Sequence, residues 1–148
     1  MLAIETPISN EPEPPLQRLL HLTRVRPDQA ISVAGPDSLA VMIELCRAGY
    51  SRVQCARQAT CAGADETSDL LILTGPAEAL GGLAARTAPL LRNGGVVAAW
   101  LERTEDDPPI RAALLVHGME ITTSTLDASG DLAVIHRVWR RGRLALVS

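Results

Sequence analysis

The chain contains no lysine: all 14 of its basic residues are arginine. No side-chain amine is therefore present to form a Schiff base or to act as a general base. Phenylalanine is missing too. A core must be assembled from leucine, valine, isoleucine and alanine, with Trp100 and Trp139 as its largest aromatics. No apolar run approaches the ~18 residues that a spanning helix needs, and the N-terminus has no basic segment leading into an apolar one. Neither membrane insertion nor secretion is expected. Cys46, Cys55 and Cys61 are odd in number and form no CxxC pair, which suits reduced thiols and a cytoplasmic location. Cys55 and Cys61 read as small buried hydrophobes rather than metal ligands. The formal net charge of −3 supplies no global attraction for nucleic acid or membrane. His21, His117 and His136 are scattered without ligand or triad spacing and read as surface or partly buried imidazoles. No P-loop, Ser-His-Asp order or paired-carboxylate motif is visible.

What remains is an ordinary globular composition, 47% hydrophobic and 21% charged over 148 residues, enough for one domain. Residues 1–15 are acidic, proline-rich and without apolar periodicity, and read as a flexible leader before a single domain over 16–148. Pro15 suits the first turn of a helix carrying Leu16, Leu19, Leu20 and Leu22–Thr23, closed by Arg26-Pro27-Asp28. Ile31 to Ala34 reads as a buried strand. A helix follows, capped by Asp37 or Ser38, with Leu39, Met42, Ile43 and Cys46 spaced as a face packed on a sheet and Gly49 as its terminator. Arg52 to Ala56 is a second strand and residues 57–68 a loop. Asp69 to Thr74 reads as a central parallel strand. A helix then runs from Pro76 to about Arg92, stopped by Asn93-Gly94-Gly95, and Val96 to Leu101 is another buried strand. Ile110 to His117 is helical up to Gly118. Met119 to Leu126 and Leu132 to Trp139 form a hairpin around Asp127-Ala-Ser-Gly130. The alternation predicts an α/β fold: a doubly wound, mostly parallel sheet with helices on both faces and a C-terminal antiparallel hairpin at its edge.

Four segments carry a resemblance to the class I S-adenosylmethionine-dependent methyltransferase family. Ile31-Ser-Val-Ala-Gly35 stands where that family has its cofactor strand and glycine loop. Asp69-Leu-Leu-Ile-Leu73 resembles its central strand, written DLVV. Leu90-Leu91-Arg92-Asn93-Gly94-Gly95-Val96-Val97 is similar to its LLKPGGxL segment, and Leu114 to Glu120 resembles the LLxxAGF lead into its terminal hairpin. The resemblance implies the family's Rossmann-like fold and, at the ends of the first strands, a site for S-adenosylmethionine.

The departures from the family pattern fall on that site. Its loop reads D/E-x-G-x-G-x-G, because glycines let the backbone approach the cofactor and leave amides free to donate. Here Val33 stands at the acidic position, Gly35 is kept, and Pro36-Asp37-Ser38-Leu39 follows. Proline has no amide hydrogen. The acidic residue that pairs with the ribose after the second strand is replaced by Arg57, or by Ala56 one position earlier, and neither side chain accepts a hydrogen bond. The dozen residues between Ala56 and Asp69 are too few for the family's third strand and its crossover. The candidate cofactor-binding residues are Gly35, Asp37, Arg57 and Thr74, with no catalytic residue and no metal ligand assigned. The altered loop disfavours S-adenosylmethionine, and Arg57 would suit a phosphate or carboxylate instead. The reading is a degenerate methyltransferase-like domain without catalysis, a binding or regulatory module meeting a protein partner or a second copy through its C-terminal edge strand. The alternative is an active small-molecule methyltransferase using Gly35, Asp37 and the Thr74–Pro76 turn. A nicotinamide-binding domain fits less well, because the hairpin argues against it. The run from His136 to Arg143 reads as a charged edge strand rather than a nucleic-acid surface.

Overall fold

The computed structural model describes residues 15–56, 67–101, 106–128 and 131–140. The leader expected over residues 1–15 lies outside them apart from Pro15, which opens helix α1 (Pro15–Thr23). Leu16, Leu19, Leu20 and Thr23 bury one face of α1, and Leu22 points outward. Strand β1 (Ala30–Ala34) is buried along its whole length and leads into helix α2 (Ser38–Arg47). Strand β2 (Arg52–Cys55) is short and largely exposed; strand β3 (Ser68–Leu73) is buried except at Asp69.

Helix α3 (Ala77–Thr87) stops earlier than the sequence predicts. Pro89 is the reason: a residue without an amide hydrogen cannot extend the α-helical ladder. The chain instead makes one 3-10 turn, Ala88–Leu90, and enters strand β4 (Leu91–Leu101). Helix α4 (Pro108–Val116) and strands β5 (Met119–Ala128) and β6 (Asp131–Arg140) complete the order.

The six strands lie in the order β2-β1-β3-β4-β6-β5. Strands β1 to β4 are parallel, and β6 runs antiparallel to both β4 and β5. The expected hairpin forms, but its second strand is inserted beside β4 and its first strand is the outer one. The His136–Arg140 segment is therefore interior to the sheet, not an edge. Beyond β2 the sheet holds no further strand among the described residues.

Helices cover both faces. On one, α1 and α2 pack over Ile31, Val33, Leu70, Ile72, Val96 and Ala98. On the other, α3 and α4 pack over Leu71, Leu73, Val97, Ala99, Val134 and Val138. The buried face of α2 is Ser38 and Leu45, with Val41 and Met42 half-buried. Leu39 and Ile43, which the periodicity placed in the core, are 69% and 44% exposed. Trp139 is likewise not a core residue, at 39% exposure; Trp100 is half-buried against the α1–α2 side. Among the described residues no helix is long and apolar enough to cross a membrane.

Candidate functional site

Open parallel sheets bind ligands beyond the carboxyl ends of their strands. Here that edge is formed by the turns after β1, β2 and β3. Gly35 turns the chain out of β1 with φ of +108°. A side chain at this position would drive its Cβ into the carbonyl and hydroxyl of Thr74. The two turns after β1 and β3 are thus pressed together, and the glycine is required by that contact as well as by its φ. Gly75 faces Pro36 in the same way, with a Cβ there lying 3.0 Å from the proline Cδ.

Thr74 fastens this contact. Its backbone N–H and its Oγ1 each donate to the Ala34 carbonyl at 2.8 Å. The same Oγ1 accepts the Asp37 N–H at 3.2 Å. Next along the chain, the Ser38 N–H donates to the Gly35 carbonyl at 3.2 Å. The three positions after Gly35 consequently offer no free amide: Pro36 has none, and those of Asp37 and Ser38 are engaged within the turns. A cofactor loop of the methyltransferase kind depends on such donors.

Asp37 occupies the N-cap position of α2 without making a side-chain cap bond, contrary to the expected capping role. Its carboxylate lies on an exposed residue at this edge. Ser38 does not cap either; its hydroxyl meets the Cys55 thiol at 3.2 Å. Cys55 and Cys46 are exposed free thiols rather than buried hydrophobes, and Cys61 lies outside the described residues. Leu39 points to solvent and does not fill the crevice.

At the end of β2, Ala56 is buried and its N–H donates to the Val33 carbonyl at 2.8 Å. Arg57 lies outside the described residues, so Gly35, Asp37 and Thr74 are the candidates seen together. With the amides of positions 36–38 absent or engaged and no acid at Ala56, the residues seen after β1 and β2 lack donors and the acceptor that the family's S-adenosylmethionine site uses. Among the described residues no group of three His, Cys, Asp or Glu side chains is placed to hold a metal ion.

Two polar clusters were not legible in the sequence. Ser32, wholly buried on β1, hydrogen-bonds the Ser68 hydroxyl and accepts Gln54 Nε2 at 2.9 Å, forming a polar ladder across β2, β1 and β3. His136 is also fully buried, and its Nε2–H donates to Asp107 Oδ1 at 2.7 Å. Arg111 Nε holds the other Asp107 oxygen at 3.1 Å. In place of the expected surface or partly buried imidazole, a fully buried one ties β6 to the start of α4. The only sequence signal was a polar residue between the apolar Val134 and Val138 of one strand face.

The sequence matches no family model and no characterised protein sequence. Its backbone does match solved structures. A putative S-adenosyl-L-methionine-dependent methyltransferase from Methanococcus maripaludis superposes with a TM-score of 0.63 at 9% identity, covering 85% of this chain and 84% of that one. The ribosomal protein L11 methylase of Lactobacillus delbrueckii subsp. bulgaricus gives 0.62 at 15% identity, over 84% and 77%. An RNA methyltransferase from Salinibacter ruber in complex with S-adenosyl-L-homocysteine gives 0.56 at 13%, over 88% and 95%. At such identities the likeness is one of fold. The chain accordingly has the α/β fold of the class I S-adenosylmethionine-dependent methyltransferases.

Proposed function

We propose that this methyltransferase-like domain performs no methyl transfer and serves as a binding or regulatory module. The observation that carries the reading is the turn after β1, whose donors are absent at Pro36 and engaged at Asp37 and Ser38. Support also comes from α2, where Leu39 and Ile43 present an apolar stripe beside that edge. Such a stripe suits contact with a protein partner or a second copy of the chain. Equilibrium dialysis against S-adenosylmethionine at millimolar concentration tests the proposal, with no retention expected.

A second reading is an active small-molecule methyltransferase. It is favoured by one feature: Pro36, Asp37 and Leu39 are all exposed, so the carboxyl edge is not filled by its own side chains. Retention of the cofactor in the dialysis, weakened by Asp37→Asn, would establish this reading and overturn the first.

A further inference from the structure

The opposite edge of the sheet holds a cavity of about 400 Å³, lined in part by Arg24, Arg26, Arg92 and Arg137 with Asp69 as its one carboxylate. Four arginines line it in a chain whose net charge is −3. Their placement follows from two irregularities. The first is the β3–β4 pairing, which passes from Ser68–Leu91 to Leu70–Val96, so that residues 92–95 bulge out opposite Asp69 alone. Gly94 permits the excursion with φ of +84°, and Gly95 lies so close to the Arg92 carbonyl that a Cβ would be 2.9 Å from it. The second is Arg24, which ends α1 at φ of +58° and is the one non-glycine residue with positive φ among those described. Glycine is the usual occupant of such a helix terminus, yet this chain places a cation there.

Asp69 offsets only one of these four charges, that of Arg92. Its Oδ2 accepts the Ala30 N–H at 2.9 Å and its Oδ1 faces Arg92 at 3.3 Å, so it ties β1 to the excursion. Arg137 gives one N–H to the Gly94 carbonyl at 2.9 Å, and Arg26 pairs with Asp28 on the exposed rim. The Arg24 guanidinium has no hydrogen bond or ion pair with a described residue. Each guanidinium carries five N–H donors, so most of those around the cavity have no acceptor among the described residues. Several like charges at one concave site, with many donors in excess, match a multiply charged oxyanion better than a single carboxylate. The volume lies in the range of small-molecule sites, and the acidic remainder of the chain argues against a nucleic-acid track.

We infer that this amino-edge cavity binds a phosphate-bearing small molecule. The site is on the far side of the sheet from the Gly35–Thr74 edge, and it stands whether or not that edge holds S-adenosylmethionine.

Calorimetric titration of the full chain with inorganic pyrophosphate, at fixed ionic strength, tests the inference. Saturable binding is expected, weakened about tenfold or more by Arg24→Gly and by Arg26→Ala, as loss of charged hydrogen bonds requires. Arg24→Gly also relieves the positive φ, so this variant should melt no lower than the parent. A stable variant that has lost pyrophosphate is the decisive combination. No saturable binding by the parent, or undiminished binding by both variants, would overturn the proposal. So would tight binding of a single-stranded oligonucleotide that pyrophosphate fails to displace.

Discussion

Thr74 decides what the carboxyl edge can do. Its hydroxyl bridges the Ala34 carbonyl and the Asp37 amide, and Gly35 is the residue that lets it come so near. Gly35→Ala should therefore destabilise the fold by about 3 kcal/mol or more, combining a backbone clash with a disfavoured φ. Urea unfolding measures this, and a loss below about 1 kcal/mol would mean that the two turns separate easily. His136 invites a second test. Asp107→Ala removes the acceptor of a wholly buried N–H, so a loss of about 2 kcal/mol is expected by the same method. The sequence exposed Gly35 and Thr74 as candidates through their places after two apolar strands. It could not expose the His136–Asp107 pair, because the partners are 29 positions apart and neither stands in a motif. Arg57 owes its candidacy to its position after β2 and lies outside the described residues.

Among the elements, the strands were easiest to read: runs such as Leu70 to Leu73 are apolar without interruption, as strands buried on both faces must be. Helix α2 was harder. In SLAVMIELCR only Ser38, Glu44 and Arg47 are clearly polar, so two overlapping stripes satisfy helical periodicity. One is Leu39, Met42, Ile43 and Cys46; the other is Ser38, Val41, Met42 and Leu45. Packing selects the second, a rotation by one residue that hydropathy cannot resolve. A pair of substitutions checks it. Leu45→Ala should cost about 3 kcal/mol, because Leu45 is wholly buried, whereas Leu39→Ala should stay within about 0.5 kcal/mol of the parent. Equal losses at both sites would return Leu39 to the core. Under the module reading, Leu39→Glu should weaken partner binding or self-association while leaving the melting temperature nearly unchanged. Sedimentation velocity reads the self-association directly.

For the whole molecule, the order of elements and the sheet's mostly parallel character were legible from alternation alone. The strand order was not fully so. A hairpin looks the same in sequence whichever of its strands lies next to β4, and the insertion of β6 between β4 and β5 is settled only by pairing across the sheet. That insertion brings Arg137 against the excursion of β4, which is why the basic cavity had no signature in the linear chain. The two ends of the sheet differ in chemistry: the turns at the carboxyl edge bond to one another, whereas the amino edge is concave and lined by arginines.

Under the module reading the turn after β1 does not hold S-adenosylmethionine, and a thermal-shift titration of the chain reads this in solution. A ligand at about a hundred times its Kd stabilises a fold by about 2.7 kcal/mol, a rise of several degrees for a chain of this size. With S-adenosylmethionine and S-adenosylhomocysteine at millimolar concentration, no shift in melting temperature is expected. A saturable rise with either would overturn the module reading and make the domain a cofactor-binding one.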